Sequence, residues 1–175
     1  MRTHAADSVG DPSIETTTWR IDPDRSTVEF HVATFGGIAT VTGRFTRYHG
    51  TLDLSGTPAV ELTIEADSVE TRNRRRDKHL RSPDFFDADG HPYVRFVSDR
   101  ALLHGERLEV HGRLHVRGAA LPLYIDATLR RVGDELEVEA VTAADQRRLG
   151  MTWNPMGVVR TPSRLIVKGR LVSQV

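Results

Sequence analysis

The sequence predicts an all-β fold of about eight to ten antiparallel strands, closing as an up-and-down barrel or a sandwich around one short helix. Three observations predict it. Most of the chain alternates apolar and polar residues with period two, the mark of strands with one wet face. Short turn sequences such as Ser55-Gly56-Thr57-Pro58 and His104-Gly105-Glu106 separate the alternating segments. A single stretch, residues 71–96, departs from the pattern; a helix-and-aromatic segment inside a β chain commonly covers one end of a sheet or barrel.

Taken in order, residues 1–17 read as a mobile polar tail and residues 18–175 as one domain. A short entry strand at residues 19–22 comes first. Val28, Phe30 and Val32 then face one side of a strand, opposite Glu29 and His31. Val41, Gly43 and Phe45 share a face in the next. His49-Gly50 reads as a tight connection into Leu52 and Leu54. Leu62 and Ile64 follow on one face of residues 60–66. Residues 74–80 lack Gly, Pro and β-branched residues, so a short helix is expected there, ended by Ser82-Pro83. Phe85 and Phe86 form an apolar pair after it. Strands resume at residues 93–98, with Phe96, and at 101–103. Val110 and Leu114, then Leu123 and Ile125, then Val138 hold the apolar faces of the later strands, and a last strand carries Leu165 and Val167. Gly43, Gly112 and Gly169 fall at inward positions, where a barrel wall bends or leaves room.

Composition removes several function classes. With 24 basic and 24 acidic residues, nothing global points to nucleic acid or an anionic surface. The absence of cysteine excludes disulfides and thiolate chemistry. The first 18 residues have no apolar core of a secretory signal, so a cytoplasmic protein is expected. No cofactor is expected. His111 and His115 share a strand face but lie about 13 Å apart, too far to chelate one ion, so no metal site is expected. The basic run from Arg72 to Arg81 lacks interleaved aromatics and reads as a solvated helix face in which Asp77 pairs with neighbouring charges; nucleic acid is not an expected partner. Asp77 with His79, Asp84 with Asp87, and Ser82 near His79 are the available catalytic pairs, with no nucleophile-elbow or oxyanion motif to orient them. Met151, Trp153 and Met156 mark an apolar loop that can pack on the barrel or meet a ligand.

Trp19-Arg20-Ile21-Asp22, Ser26-Thr27-Val28-Glu29-Phe30 and Val41-Thr42-Gly43-Arg44-Phe45 resemble the opening of the YceI-like family. Arg76-Asp77-Lys78-His79-Leu80-Arg81-Ser82-Pro83-Asp84-Phe85-Phe86-Asp87 is similar to its most specific motif, and His91-Pro92-Tyr93-Val94-Arg95-Phe96 continues it. The resemblance covers roughly residues 19–175. Arg25, Thr34 and Leu149 stand where that family usually has His, His and Phe. The resemblance implies an eight-stranded lipocalin-like barrel wrapping a polyisoprenoid lipid, such as an isoprenoid quinone or prenyl phosphate, often in a homodimer. With no leader in view, the cargo is expected to be a cytoplasmic lipid or one on the inner membrane face, the latter requiring transient contact with a membrane.

The expected lumen is lined by Val28, Phe30, Val32 and Phe45 from the early strands and by Leu62, Ile64 and Phe96 beyond them. Val110, Leu114, Leu123, Ile125 and Val138 complete it, with Phe85, Phe86 and Trp153 at its mouth. Arg76, His79 and Arg147 are candidates for a polar head group. A non-catalytic lipid carrier or store is the leading expectation. An enzyme using His79 and Asp77 on a prenyl lipid, and a structural or stress-response module with a filled barrel, stand beside it.

Overall fold

The structure, a computed structural model, describes residues 17–154, 156–157 and 159–174. The expected tail, residues 1–17, lies outside the described residues except for Thr17. The strands are β1 (Thr18–Ile21), β2 (Thr27–Thr34), β3 (Ala39–Phe45), β4 (Tyr48–Asp53), β5 (Ala59–Glu65), β6 (Val69–Glu70), β7 (Tyr93–His104), β8 (Arg107–Val116), β9 (Ala119–Val132), β10 (Glu135–Ala144) and β11 (Ser163–Gln174). One α-helix, α1 (Arg74–Arg81), lies between β6 and β7.

All pairings are antiparallel, and they close an eight-walled barrel. Five walls are the unbroken strands β7 to β11, each beside the next. The other three walls are broken strands. β1 and β2 follow one another along β11, with Ile21 opposite Leu171 and Thr27 opposite Lys168. β4 and β3 lie on them in the same way, and β5 and β6 lie on β4 and β3. The turn expected at His49-Gly50 is therefore absent: both residues sit within β4, which continues the wall that β3 begins. Gly50 serves packing instead, since a Cβ there would come within 3.0 Å of Leu62 and 3.5 Å of Ile21. The two strands expected at 93–98 and 101–103 are one strand, with an irregularity between Ser98 and Arg100.

The three breaks fall at one level and are stitched together. Tyr48 donates its hydroxyl to the carbonyl of Ser26 at 2.8 Å, joining the first break to the second. Thr46 N–H donates to the carbonyl of Ser68 and Arg47 N–H to the Ser68 hydroxyl, joining the second to the third. At the first break, residues 22–26 bulge against only Gly169 and Arg170 of β11. Ser26 Oγ accepts from Arg170 N–H at 3.1 Å, and Asp22 N–H donates to the Arg170 carbonyl at 2.9 Å. Gly169 leaves the space: a Cβ there would lie 1.9 Å from Ser26 Oγ. Outside the bulge, Arg25 binds Glu135 of β10 through both terminal nitrogens, at 2.9 and 2.7 Å, and Asp22 through Nε at 2.7 Å. This fork–fork geometry suits arginine, whose planar guanidinium meets a carboxylate through two parallel bonds.

The helix is held by its own first turn. Asn73 caps it by accepting from Arg76 N–H at 3.0 Å. Asp77 is buried, not solvated: its carboxylate accepts from both the N–H and the hydroxyl of Thr71. Arg76 donates to the Thr71 hydroxyl and carbonyl, each at 2.8 Å, and Arg81 to the carbonyls of Asp67 and Val69. The basic run thus spends two of its arginines on backbone carbonyls of β6 and of the residues flanking it. Leu80 turns inward, and Ser82-Pro83 ends the helix as expected. Far from α1, Trp19, Leu54, Ala101 and Leu136 are buried together in the core and form the floor of the barrel.

Asp77→Ala is expected to lower the unfolding free energy by about 1–3 kcal/mol in urea titrations, because a buried Thr71 N–H loses its acceptor, with Asp77→Asn losing less. The Arg25 clamp predicts a pH dependence. Hydrogen bonds from Arg25 hold the Asp22 and Glu135 carboxyls below their usual values. Carboxyls lowered in the folded state stabilise it above the unfolded value and lose that effect as pH falls through the lowered one. The melting-temperature gap between the natural protein and Arg25→Ala is therefore expected at pH 7 and to shrink well below pH 4. An equal gap at both pH values would count against the clamp.

Candidate functional site

The barrel is hollow. A cavity of about 520 Å³ runs along its interior and opens at the end that carries α1. This volume falls within the usual range of ligand pockets, and it removes the reading of a barrel filled by its own side chains. On β8 alone the lining runs from Leu108 to Val116, about 27 Å along the strand or about 20 Å along the axis of a tilted barrel. Half the hydrocarbon thickness of a bilayer is about 15 Å, so the lumen suits a chain longer than one leaflet is deep.

The walls follow from the alternation. Val28, Phe30, Val32 and Phe45 line one side; Leu62, Ile64 and Phe96 line the next. Val110, Leu114, Leu123, Ile125 and Val138 line the far side. Two inward glycines make room for rings rather than for a ligand: a Cβ on Gly43 would lie 2.1 Å from the Phe30 ring, and one on Gly112 would lie 2.5 Å from the Phe96 ring. Phe86 hangs into the lumen from the loop after α1 and packs on Phe45 and Phe30, with centroids 5.5 and 6.2 Å apart.

At the mouth, His79, Phe85 and Trp153 form a ring cluster. The Trp153 ring meets His79 edge-on at 4.4 Å and Phe85 at 5.7 Å. Because His79 Nε2 lies 2.7 Å from Asp84 Oδ2, the imidazole is fixed between a carboxylate and two aromatic rings. The pairing of His79 with Asp77 expected for an acid–base couple is replaced by one with Asp84, since Asp77 is committed to Thr71. Asp77 is spent on the buried Thr71 and Asp84 on His79, while the Ser82 hydroxyl donates to the His79 carbonyl.

All three head-group candidates line the cavity, each already engaged. Arg76 holds Thr71, His79 holds Asp84, and Arg147 binds Asp145 through two bonds of 3.0 and 2.9 Å. The Arg147 contact keeps the Asp145 carboxyl below its usual range. Among the described residues no group of three or more metal-ligating side chains occurs. Residues not expected at the mouth are also there. Gln146 accepts from the Ser163 hydroxyl at 3.0 Å and donates to the Arg160 carbonyl at 3.1 Å. Ser163 could have been found, because it shares the inward face of Leu165 and Val167. Leu149 lines the cavity as well, beside Met151 of the apolar loop expected there, and a bond from Arg117 to the Gly150 carbonyl holds that loop.

With this geometry in hand, comparison with known proteins is specific. Residues 19–170 match the family model of the YceI-like domain. A UPF0312 protein of Pectobacterium carotovorum is 34% identical over 112 residues, 62% of this chain and 58% of that protein. Protein YceI of Shigella flexneri is 34% identical over 103 residues, 57% of this chain and 54% of that protein. The chain thus aligns with somewhat more than half the length of these curated relatives. BcnA of Burkholderia cenocepacia superposes with a TM-score of 0.77 at 18% identity, covering 87% of this chain and 99% of that one. A polyisoprenoid-binding domain from Saccharophagus degradans, implicated in plant cell wall breakdown, gives 0.74 at 15% identity, covering 91% and 99%. Likeness at such identities establishes the barrel, and the family model, which takes in every wall and the α1 motif, establishes the rest: the chain belongs to the YceI-like family.

Proposed function

We propose that the protein binds one long isoprenoid-type lipid, a polyprenyl chain or an isoprenoid quinone, in the barrel lumen and acts as its carrier or store. The observation that carries the reading is the continuous apolar cavity, closed at the floor and open beside α1. Burial contributes about 0.8 kcal/mol per methylene. Association itself costs about 4–15 kcal/mol. A chain of about ten carbons therefore only offsets that cost, whereas a chain of twenty or more leaves a surplus. The Saccharophagus degradans domain of the same fold is a polyisoprenoid-binding domain, which supports an isoprenoid over an unbranched chain. Binding rather than turnover is favoured because the acid–base groups at the mouth are bound to one another and to backbone.

Organic extraction of the purified protein followed by mass spectrometry is expected to release close to one isoprenoid per chain. An empty extract, together with failure to load any prenyl quinone or polyprenyl phosphate, would sink the proposal. Equal loading by an unbranched hydrocarbon of matched length would remove the isoprenoid and leave a general lipid carrier. Leu114 lies in the wall between Phe96 and Leu121, facing the lumen. Leu114→Trp is expected to stay folded by circular dichroism and to load at least about tenfold less tightly, the equivalent of 1.4 kcal/mol. Undiminished loading would place the ligand elsewhere.

A further inference from the structure

Exposed apolar side chains are concentrated at the mouth. Ile38 is 90% exposed, Met156 79%, Phe35 58% and Trp153 43%. Phe35 and Ile38 sit on the tip joining β2 to β3; Trp153 and Met156 sit on the loop leading to β11. The two tips are tied side by side. Arg160 N–H donates to the Ala33 carbonyl at 2.8 Å, Thr34 bridges to Val159, and the Asn154 side chain clamps Val159 through both its backbone groups at 3.1 Å. Phe35 also holds a φ of 50°, a left-handed conformation that a bulky residue avoids. Strain of this kind persists where a position has a use.

Unpaired cations gather at the same end. Along the walls several arginines are paired, Arg44 with Glu70, Arg95 with Glu61, Arg107 with Asp126 and Arg113 with Asp99, while Arg20, Arg100 and Arg164 stand singly without an ion pair among the described residues. At the mouth, Arg72, Arg74, Arg75, Lys78, Arg148 and Arg160 are exposed, and none of them has an ion pair among the described residues. The acids nearby are taken up, Asp84 by His79, Asp87 by His91 and Asp145 by Arg147, which leaves Asp89. A chain with no net charge therefore presents unpaired cations and apolar tips together, around the opening of its cavity.

We infer that this end docks on the surface of an anionic lipid bilayer. Phe35, Ile38, Trp153 and Met156 enter the boundary between head groups and acyl chains, and the cations of α1 meet lipid phosphates. Docked mouth-first, the lumen becomes continuous with the hydrocarbon, so a long chain moves between them without crossing water. The docking geometry stands by itself; its purpose rests on the lipid-binding reading above.

The test is flotation with vesicles of phosphatidylcholine, with and without phosphatidylglycerol. The protein is expected to float with the anionic vesicles, less so as salt rises. Trp153 reports insertion by a blue shift in emission, against a constant background from Trp19, which is 2% exposed. Ile38→Asp and Met156→Asp change exposed side chains. Either of them, or Arg74→Glu combined with Lys78→Glu, is expected to weaken vesicle binding at least about tenfold. Failure to float with either vesicle overturns the inference, as does flotation that all these variants leave unchanged. Self-association abolished by Ile38→Asp, without vesicle binding, overturns it in favour of contact between copies of this chain. Extraction and mass spectrometry of the same samples separates the two proposals. Lipid-loaded protein that ignores vesicles defeats only the docking surface; empty protein that floats defeats only the cargo.

Discussion

The barrel depends on how β11 closes against a wall that breaks in its middle. A broken strand leaves backbone groups facing nothing, and an unpaired edge is a site for aggregation. Here the break is covered group by group. Gly169 yields its side-chain space to Ser26, and the Ser26 hydroxyl and Asp22 N–H take the N–H and carbonyl of Arg170. Arg25 ties the outside of the bulge to β10. Tyr48 and Ser68 carry the same level of interruption into the next two walls. Below that level the cavity continues between Leu52, Leu108 and Leu129 and ends on the packed floor of Trp19, Leu54, Ala101 and Leu136. Above the breaks β6 ends after two residues, and α1 and its following loop occupy the gap beside β7. The mouth thus opens beside α1, where the broken walls give way to helix and loop, and the breaks are tolerable because Ser26, Tyr48 and Ser68 supply hydrogen-bond partners across them.

A hollow interior is costly in a protein of this size. Cavities left in packed cores destabilise by about 24 cal/mol per Å³. Applied to about 520 Å³, that rate corresponds to a cost on the order of 10 kcal/mol. This is comparable to the whole net stability of a typical domain, about 5–15 kcal/mol. Larger inward side chains would remove the cost, yet most inward positions carry aliphatic residues, and Gly43 and Gly112 carry none at all because they accommodate the rings of Phe30 and Phe96. An apolar guest recovers the missing contacts. The same reasoning explains why Phe86 comes from the loop after α1 rather than from a wall: a ring carried on a loop can narrow the opening without fixing the width of the barrel.

Alternation made the lumen legible. Inward positions in β2, β5, β8, β9 and β10 follow from period two, and no tertiary knowledge is needed to place Val110 or Leu123 on the inner face. The breaks were not legible as breaks: the inward phase shifts across each of them, from Ile21 to Val28, from Phe45 to Gly50 and from Ile64 to Val69, as it also can across a loop between separate strands, and a glycine such as Gly50 looks like a turn until its neighbours are known. Asp77 was misread for a related reason. Seven exposed or half-exposed residues surround it in sequence, and only the fold brings the two donors of Thr71 against its carboxylate. His79 finds Asp84 across the Ser82-Pro83 helix end, a contact set by how sharply that proline turns the chain. Ser163 was readable from its phase and marks where an apolar wall meets a polar rim.

The arrangement of charges bears on selectivity. A site that discriminates among head groups keeps donors unpaired and aimed at the ligand, because leaving a buried donor without its partner is what penalises the wrong ligand. At this mouth Arg76, His79 and Arg147 each have internal partners, and Arg147 and Asp84 are well exposed to solvent. Exchange of such contacts for those of a head group gains little net energy. Affinity must then come mainly from the chain in the lumen, where it scales with length and shape, while the rim remains compatible with more than one head group. That division suits the proposed carrier: a long apolar tail would hold the ligand, and no strong polar contact would have to be broken to release it.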